Sequence, residues 1–352
     1  MRQAAQLLHR PRRAGVAVLV RHLLGVQAQV LAAAGLGLRA RTDGLTVAKV
    51  DRARLRDRSI VLTWAMRGTL HLVAADDYGW LIPLVVEARL GASHRRLREL
   101  GVTGNQPAQA VQAIERMLDR EGPLTRAEIA ERLRRLRIRT EGQAIAHLTW
   151  LAAFEKAVCF GPDRNGDRCF VLARDWIGPP EPMDPDRALA ELAVRFLRAH
   201  GPATPDDLAF WSGVRLEDAK RGWRSIEGRL VEVDGPSGTM WSLRSRRRDE
   251  APGGLVRLLP SFDEYLLGWK DRRFIADGGR WRTINPGGGW FHPAVVADGR
   301  ATGTWAVERT PNATRVAVRP FSRPTPKLRR GAAAEAEELA SYLGTPVDLS
   351  LS

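Results

Sequence analysis

The residues of this chain with the clearest chemical potential are two glutamines two positions apart. Gln27 and Gln29 lie in an otherwise apolar segment rich in alanine and leucine. A glutamine amide has two donors and two acceptor lone pairs, so its burial without partners is costly. Two such amides indicate a polar pocket, although on these residues alone the capping of helix ends is the simpler explanation. Because amides do not titrate, the pair can place a molecule or stabilise a charge but cannot act as a general base.

The net charge favours a polyanionic partner. The chain has 352 residues and a formal charge of +15, from 55 basic and 40 acidic side chains. Basic residues that neutralise phosphates release condensed counterions, and this release drives binding to nucleic acid. A GC-rich base composition explains arginine in place of lysine, but it does not explain the excess over acidic residues. We therefore expect a polyanionic partner such as nucleic acid, with base composition alone as the alternative.

A second tract with chemical potential is Thr63–Val73, which alternates apolar and polar residues around an Arg67-Gly68 break. This pattern predicts a hairpin. Arg67, Thr69 and His71 lie on the hairpin, and we expect them to contact the DNA backbone or a groove. For His71 the alternative is a half-buried residue whose hydrogen bonds are satisfied within the protein.

An internal repeat organises the middle of the chain. The tract Gly122–Ala130 matches Gly201–Ala209, and each begins with Gly-Pro-x-Thr. Thr125 and Thr204 are the expected N-caps of helices, because each is followed three residues later by an acidic side chain, as in a capping box. The repeat therefore predicts two related structural units.

Each copy follows a helical pattern and precedes a pair of strands, the order helix, helix, helix and hairpin that is typical of a winged helix. The preceding helices are predicted at Ala108–Leu118 and Ala188–Leu197. The predicted strand pairs are Ala157–Phe160 with Cys169–Leu172, and Leu230–Val233 with Met240–Leu243. The N-terminal part is compatible with a third unit, with helices at Gly15–Leu36 and Val47–Leu55 and a wing at Val61–Val73.

After Arg248 the sequence changes to short β-like runs among glycine and proline turns, followed by a helix at Ala332–Tyr342. The expected fold class is α+β: tandem winged-helix (helix-turn-helix) domains and then a small β-rich C-terminal domain with a terminal helix. The segments Pro179–Pro185 and Arg244–Glu250 are the expected linkers. The predicted domains are 1–104 with the glutamine pair, 105–178, 186–245 and 251–352.

Several tracts together resemble the AlkZ/YcaQ-like winged-helix DNA glycosylase family. They are the Gln-x-Gln triplet, Trp64–His71, Gly201–Gly213, Leu258–Arg272 and Ala297–Trp305. The resemblance implies tandem winged helices, a β-barrel-like C-terminal part and DNA in a concave channel. The Gln-x-Gln form resembles the AlkZ branch, whereas the other branch has aspartate where this chain has Gln29. The middle residue of the triplet is usually a larger aliphatic than Ala28.

The resemblance implies excision of N7-alkylated purines, with unhooking of interstrand crosslinks in some members. Such a base already carries a positive charge and leaves without protonation, through an oxocarbenium-like sugar. Gln27 and Gln29 are then expected to position a water molecule and to stabilise the developing cation with fixed dipoles. We expect a monofunctional enzyme that leaves an abasic site. The alternative is a non-enzymatic winged-helix DNA-binding protein or transcriptional regulator, because fold does not fix function.

A further DNA contact is expected near the C-terminus. Arg280, Trp281 and Arg282 precede the aromatic Gly287–Phe291 segment, and together they are compatible with a hairpin that inserts into DNA or with an ordinary surface loop. The tract with Asp263 and Glu264 is expected to stabilise the C-terminal domain. Lys270 is expected in an ion-pair network with its neighbours Asp271 and Arg272, rather than as a Schiff-base amine.

Other features indicate a soluble, intracellular monomer without a cofactor. Cys159 and Cys169 have no zinc-ligand spacing and no accompanying histidine pair, so we expect reduced thiols and no metal. The basic N-terminus is not followed by an apolar region of the signal-peptide kind. No apolar run is long enough to span a bilayer. The expected location is the cytoplasm, in association with the nucleoid.

Overall fold

The computed structural model describes residues 1–10, 13–179, 181–235, 238–246, 251–309 and 314–352. The N-terminal part contains three strands, several short helices and one long helix. The elements are α1 (Arg2–Ala5), α2 (Val16–Leu23), β1 (Val26–Gln27), α3 (Leu31–Arg39), α4 (Val47–Asp51), a π-helical turn (Arg52–Arg56), β2 (Ile60–Trp64), a 3₁₀ turn (Met66–Gly68), β3 (Leu70–Ala74) and α5 (Ala75–Glu99). The hairpin predicted around Arg67-Gly68 is confirmed as β2 and β3.

The region predicted as helical from Gly15 to Leu36 is two helices separated by the strand that holds the glutamine pair. Leu24 ends α2 in a left-handed conformation, with φ of 64°, and Gly25 follows with φ of 134°. This geometry turns the chain out of the helix and into β1. The backbone angle of Gly25 favours glycine, and a Cβ atom there would also have to displace Cε of Met66, 2.5 Å away.

The two Gly-Pro-x-Thr repeats form the predicted helices and hairpins. The first comprises α6 (Gln106–Glu121), β4 (Leu124–Thr125), α7 (Arg126–Arg135), α8 (Ala144–Phe154), β5 (Val158–Arg164), β6 (Asp167–Leu172) and α9 (Ala173–Ile177). The second comprises α10 (Pro185–His200), α11 (Pro205–Ser212), α12 (Leu216–Arg224), a 3₁₀ turn (Glu227–Arg229), β7 (Leu230–Gly235) and β8 (Gly238–Leu243). Both capping boxes are confirmed: Thr125 with Glu128 begins α7, and Thr204 with Asp207 begins α11.

One six-stranded sheet crosses the predicted boundary between residues 104 and 105. Its strand order is β1-β3-β2-β5-β6-β4, and the two hairpins meet where Leu62 pairs with Phe160. The ring of Trp64 lies 4.9 Å from that of Phe160 and reinforces the junction. The N-terminal unit and the first repeat therefore share one sheet, which the sequence-based division into domains did not anticipate.

The C-terminal part contains a five-stranded sheet and three helices. The elements are β9 (Val256–Leu259), α13 (Glu264–Leu267), α14 (Gly278–Ile284), β10 (Ala294–Ala297), β11 (Arg300–Arg309), β12 (Thr314–Pro320), α15 (Pro326–Leu343) and β13 (Val347–Leu351). The last strand was not predicted; it pairs in parallel with β12, while the other neighbours are antiparallel. The terminal helix begins earlier than predicted, because Thr325 caps it.

Arg280, Trp281 and Arg282 lie on the helix α14, so neither the inserting hairpin nor the surface loop expected at these residues is present. Parts of the two predicted linkers, residues 180 and 247–250, lie outside the described residues. Among the helices that the structure describes, none is both long enough and apolar enough to cross a membrane.

Buried ion pairs fasten the N-terminal part to the C-terminal part. Arg41 donates two hydrogen bonds of 2.8 Å to the carboxylate of Asp263, and Arg39 donates one of 3.0 Å to Glu335. All four side chains are almost fully buried. Loss of one partner would leave an uncompensated charge in the interior, so the Asp263 pair fixes the start of α13, and the Glu335 pair fixes α15, against α3 and the residues that follow it.

Candidate active site

The strand β1 separates the two glutamines into different environments. Gln27 pairs with His71 of β3 and is buried, whereas Gln29 lies just beyond the strand and is exposed. Ala28 between them is fully buried and donates its N–H to the carbonyl of Leu70. β1 is an edge strand, so the N–H of Gln27 points away from the sheet and needs an acceptor from elsewhere.

Glu264 supplies that acceptor. Asp263 caps α13, and the first residue of the helix, Glu264, directs its carboxylate to β1. Oε1 accepts the N–H of Gln27 at 2.8 Å, and Oε2 accepts Nε1–H of Trp211 at 2.9 Å. Burial raises the pKa of Glu264, while the two donors and the charge of Arg67 act in the opposite direction. Glu264 therefore acts at the Gln27 strand, which corrects the expectation that its tract only stabilises the C-terminal domain.

Arg67 contacts the other end of Gln27. It lies in the turn between β2 and β3 with φ of 57°, and its side chain is directed inward. One Nη group donates to the backbone carbonyl of Trp211, and the other donates to Oε1 of Gln27 at 2.9 Å. Since arginine only donates, the contact requires the carbonyl oxygen of the Gln27 amide on this side. Burial lowers the pKa of Arg67, and Glu264 opposes this shift.

Gln27, Arg67, Trp211 and Glu264 thus form a closed hydrogen-bonded ring, which we call the four-residue ring. Gln27 bonds to Glu264 and Arg67, and both of these bond to Trp211. The four side chains come from β1, the β2–β3 turn, α11 and α13. Such a network holds the Gln27 amide in one orientation, as a dipole used in catalysis requires.

A glycine allows α11 to approach the turn that holds Arg67. Gly213 follows α11 with φ of 83°, and a Cβ atom there would lie 3.0 Å from the backbone nitrogen of Arg67 and 3.1 Å from its Cα. No larger residue fits without moving the turn. The second capping box starts α11 at a fixed register, and Gly213 ends it, so the repeat places Trp211 against Arg67.

The structure places His71 in the wall of the site, whereas Thr69 is half-buried at the turn. His71 is fully buried, with Nδ1 2.9 Å from the carbonyl of Thr69. Desolvation and the neighbouring charge of Arg67 lower the pKa of His71 to about 3, so the ring is neutral at physiological pH. The hydroxyl of Thr69 donates to the carbonyl of Met66. The burial of His71 favours the alternative of a residue enclosed in the protein, whereas the DNA contacts of Arg67 and Thr69 stay predictions.

The residues on α14 border a cluster of aromatic rings near the site. Arg280 and Arg282 are exposed, and Arg280 lies 3.7 Å from Asp277. Trp281 is half-buried against Phe291, with ring centroids 6.0 Å apart. The expected network around Lys270 is wrong in its partners, because Lys270 pairs with Asp206 and Asp271 pairs with Arg273.

Sequence reasoning identified Gln27, and Arg67 as a DNA contact, but it did not identify Trp211 and Glu264 as members of the ring. Glu264 and Trp211 lie in tracts that were singled out, yet their convergence follows from contacts across 237 and 53 residues that no local pattern reveals. Both cysteines are free and buried. Within the described ranges, no group of three or more His, Cys, Asp and Glu side chains is arranged to hold a metal ion.

The chain combines a strong positive charge, repeated helix–hairpin units and an oriented amide at their junction. A sequence profile of the family described as DNA glycosylase AlkZ-like matches residues 20–342. The interstrand DNA cross-link repair glycosylase of Streptomyces sahachiroi is 32% identical over 311 residues, which cover 82% of this chain and 81% of that protein. The solved structure of Streptomyces sahachiroi DNA glycosylase AlkZ matches with a TM-score of 0.85 and 26% identity, over 100% of this chain and 97% of that one.

The chain belongs to the AlkZ-like DNA glycosylase family, as the sequence resemblance indicated. It is a DNA glycosylase with a mixed α and β fold.

Proposed function

We propose that this enzyme excises cationic N7-alkylpurines from double-stranded DNA, with Gln27 and Gln29 as its catalytic residues. The observation that supports this proposal is the four-residue ring, which holds the Gln27 amide rigidly beside an exposed Gln29. The carbonyl oxygen of Gln27 is held in position, whereas that of the exposed Gln29 can adjust. Two such oxygens suit the binding of a water molecule and the stabilisation of a developing positive charge.

The reaction needs no protonation of the base, because the N7-alkylated purine already carries a positive charge. The bond between C1′ and N9 breaks, its electron pair neutralises the purine, and the sugar passes through an oxocarbenium-like state. A water oxygen then forms the new bond to C1′ and releases a proton to solvent. Gln27 accepts from Arg67 with one lone pair and keeps a second for this water. The product is free base and an abasic site.

Interstrand crosslinks at N7 are the second substrate class of the proposal. The relative of known function is a crosslink repair glycosylase, and a crosslinked purine bears the same positive charge as a monoalkylated one. A crosslinked base cannot rotate freely out of the helix, so the enzyme must reach C1′ with the nucleotide close to its stacked position. The alternative of a non-enzymatic DNA-binding regulator is not favoured, because the matched relatives are glycosylases.

We interpret the helix–hairpin units as tandem winged helices with the β-rich C-terminal domain as a further unit, in a monomer that acts at the nucleoid. The proposed divisions are 1–104, 105–178, 186–245 and 251–352, with the first two joined through the shared sheet. Arg280 and Arg282 are exposed on α14, so they keep their proposed role as DNA contacts, and Trp281 supports them from the helix.

The decisive experiment measures base release from duplex DNA with one N7-methylguanine, under single-turnover conditions. The wild type is compared with Gln27→Ala, Gln29→Ala and the double variant, and DNA binding is measured in parallel. Release that collapses in the double variant while binding persists supports the proposal. Release by the wild type that the double variant retains would mean that the chemistry resides elsewhere, and no release above the spontaneous rate would exclude this lesion.

A further inference from the structure

Arg272 is held by aromatic rings and has no acidic partner. Its guanidinium carbon lies 4.8 Å from the ring centroid of Phe210, 5.4 Å from that of Trp281 and 5.4 Å from that of Phe291. In the part of the chain that the structure describes, no side chain or carbonyl accepts a hydrogen bond from Arg272, and its buried Nε is unpaired. Aromatic faces stabilise a cation without consuming its hydrogen-bond donors.

This arginine lies next to the four-residue ring. Phe210, over which it lies, immediately precedes Trp211, and the positive charge of Arg67 contributes with burial to lower the pKa of Arg272 to about 10. Arg67 itself bonds to neutral oxygens, and the nearby carboxylate of Glu264 offsets its charge. Arg272 has no such carboxylate partner among the described residues, and its buried Nε is unpaired.

An arginine without an acidic partner is unfavourable for the reaction unless an anion joins it. The lesion is a cation and the sugar becomes one, so an uncompensated Arg272 would oppose both binding and bond breakage. The substrate brings an anion with it, namely the phosphodiester next to the damaged nucleotide. Arginine presents a planar fork of donors that matches phosphate oxygens, and stacking on rings preorients that fork.

We propose that Arg272, held by Phe210, Trp281 and Phe291, binds a phosphodiester of the lesion-bearing strand beside the site. The proposal rests on the proposed function, because that phosphate enters only with the damaged strand. Phe210 and Trp290 are exposed at the border of this cluster, so the phosphate approaches along a surface lined by aromatic rings. Arg272 is then a substrate-binding residue that places C1′ against Gln27 and Gln29.

The test neutralises one phosphate at a time. A set of N7-methylguanine duplexes carries a single methylphosphonate at successive positions on either side of the lesion, and Kd is measured for the full-length wild type and for Arg272→Gln. At one position we expect the wild type to lose binding about tenfold to a hundredfold, the range for a hydrogen-bonded charge. Arg272→Gln loses the same factor on the unmodified duplex and is insensitive to the methylphosphonate at that position, as a direct contact requires.

Three further measurements separate this contact from a structural role. Arg272→Gln lowers the slope of log K against log salt by about one, as the loss of one phosphate contact does. Arg272→Lys, which keeps the charge, recovers part of the binding. The matched control is Arg58→Gln, which removes an arginine stacked on Trp176 at 4.1 Å and leaves the methylphosphonate profile of the wild type unchanged.

The proposal would be overturned if, at every position, the loss of affinity caused by Arg272→Gln and the methylphosphonate together equalled the product of their separate losses. Because Kd is measured without turnover, this result is independent of whether base release occurs. If the wild type releases no base but Arg272→Gln is insensitive to the methylphosphonate at one position, the proposed lesion is refuted and the phosphate contact is retained. If the wild type releases the base but no position shows this insensitivity, the phosphate contact is refuted and the proposed lesion is retained.

Discussion

Glu264→Gln is the substitution that most directly tests the four-residue ring. Glu264 accepts from the Gln27 backbone with one oxygen and from the Trp211 indole with the other. A glutamine keeps one acceptor and turns a donor toward the second N–H, so one hydrogen bond to a charged group, worth about 1.5–3 kcal/mol, is lost. The neutral side chain also removes a buried charge, so the folded state changes little in free energy while the ring opens.

If the ring positions Gln27 for the chemical step, the loss appears in the rate. We expect the single-turnover rate of base release from an N7-methylguanine duplex to fall about tenfold to a hundredfold, since each 1.4 kcal/mol corresponds to a factor of ten. Binding to undamaged DNA should stay within a factor of about two. Glu264→Ala leaves two buried donors without acceptors, at about 1–3 kcal/mol each, and should also lower the free energy of unfolding.

Glu335→Gln is the matched control for this prediction. Glu335 is equally buried, and it accepts from Arg39, from Arg10 and from the backbone of Leu258, away from the glutamine pair. Its loss should lower stability by about 3–5 kcal/mol and leave the rate per folded molecule unchanged. A wild-type rate in Glu264→Gln, or an equal loss of rate in both glutamate variants, would refute the reasoning.

Three other predictions concern the same region. Gly213→Ala forces a Cβ atom against the backbone of Arg67, so the rate of base release should fall more than DNA affinity does, whereas Gly228→Ala, where a Cβ meets open space, should leave both unchanged. The rate should fall as the pH falls through the raised pKa of Glu264, because protonation replaces an acceptor with a donor; a pH–rate profile of Glu264→Gln should lack this inflection. His71 and His200 are buried, and their pKa values are lowered to about 3. Above pH 6.5, the pKa of histidine in the unfolded chain, this burial costs the folded state nothing in proton binding; as the pH falls below 6.5 the unfolded state binds protons first and the folded state loses stability. The free energy of unfolding, measured by chemical denaturation, should fall as the pH is lowered from 7 to 5. In His200→Leu the slope of this free energy against pH should be smaller by the equivalent of about one bound proton, and an unchanged slope would contradict the assignment.

Local patterns predicted the elements that depend on local physics. Both capping boxes, the hairpins of both repeats and the β2–β3 hairpin follow from N-cap chemistry, alternation and turn residues within a few positions. The strand β1 was not predicted, because two residues give no alternation and because its existence depends on the left-handed Leu24 and on Gly25. Likewise β13 pairs in parallel with β12 through the long connection of α15, which leaves no short-range signal.

The site was predictable only in part. An amide pair in an apolar segment indicated a pocket and Arg67 was expected as a DNA contact, but no local pattern showed that the Arg67 side chain reaches Gln27. The direction of that side chain depends on the packing of α11 against the turn, which is a long-range contact. The helix α14 was mistaken for a turn-rich segment, since Asp277 caps two glycines that by themselves predict a loop.

The four-residue ring explains how a site built on amides keeps a fixed geometry without charge at the reacting atoms. The proposed chemistry uses Gln29 where a carboxylate would add direct stabilisation of the sugar cation, and the carboxylate of Glu264 lies one hydrogen bond behind Gln27. In that position the charge offsets that of Arg67, orients the strand and is buried away from water. If the glutamine pair is catalytic, we expect selectivity for a base that is already cationic, because a neutral purine, which needs a proton to leave, finds no acid among these groups.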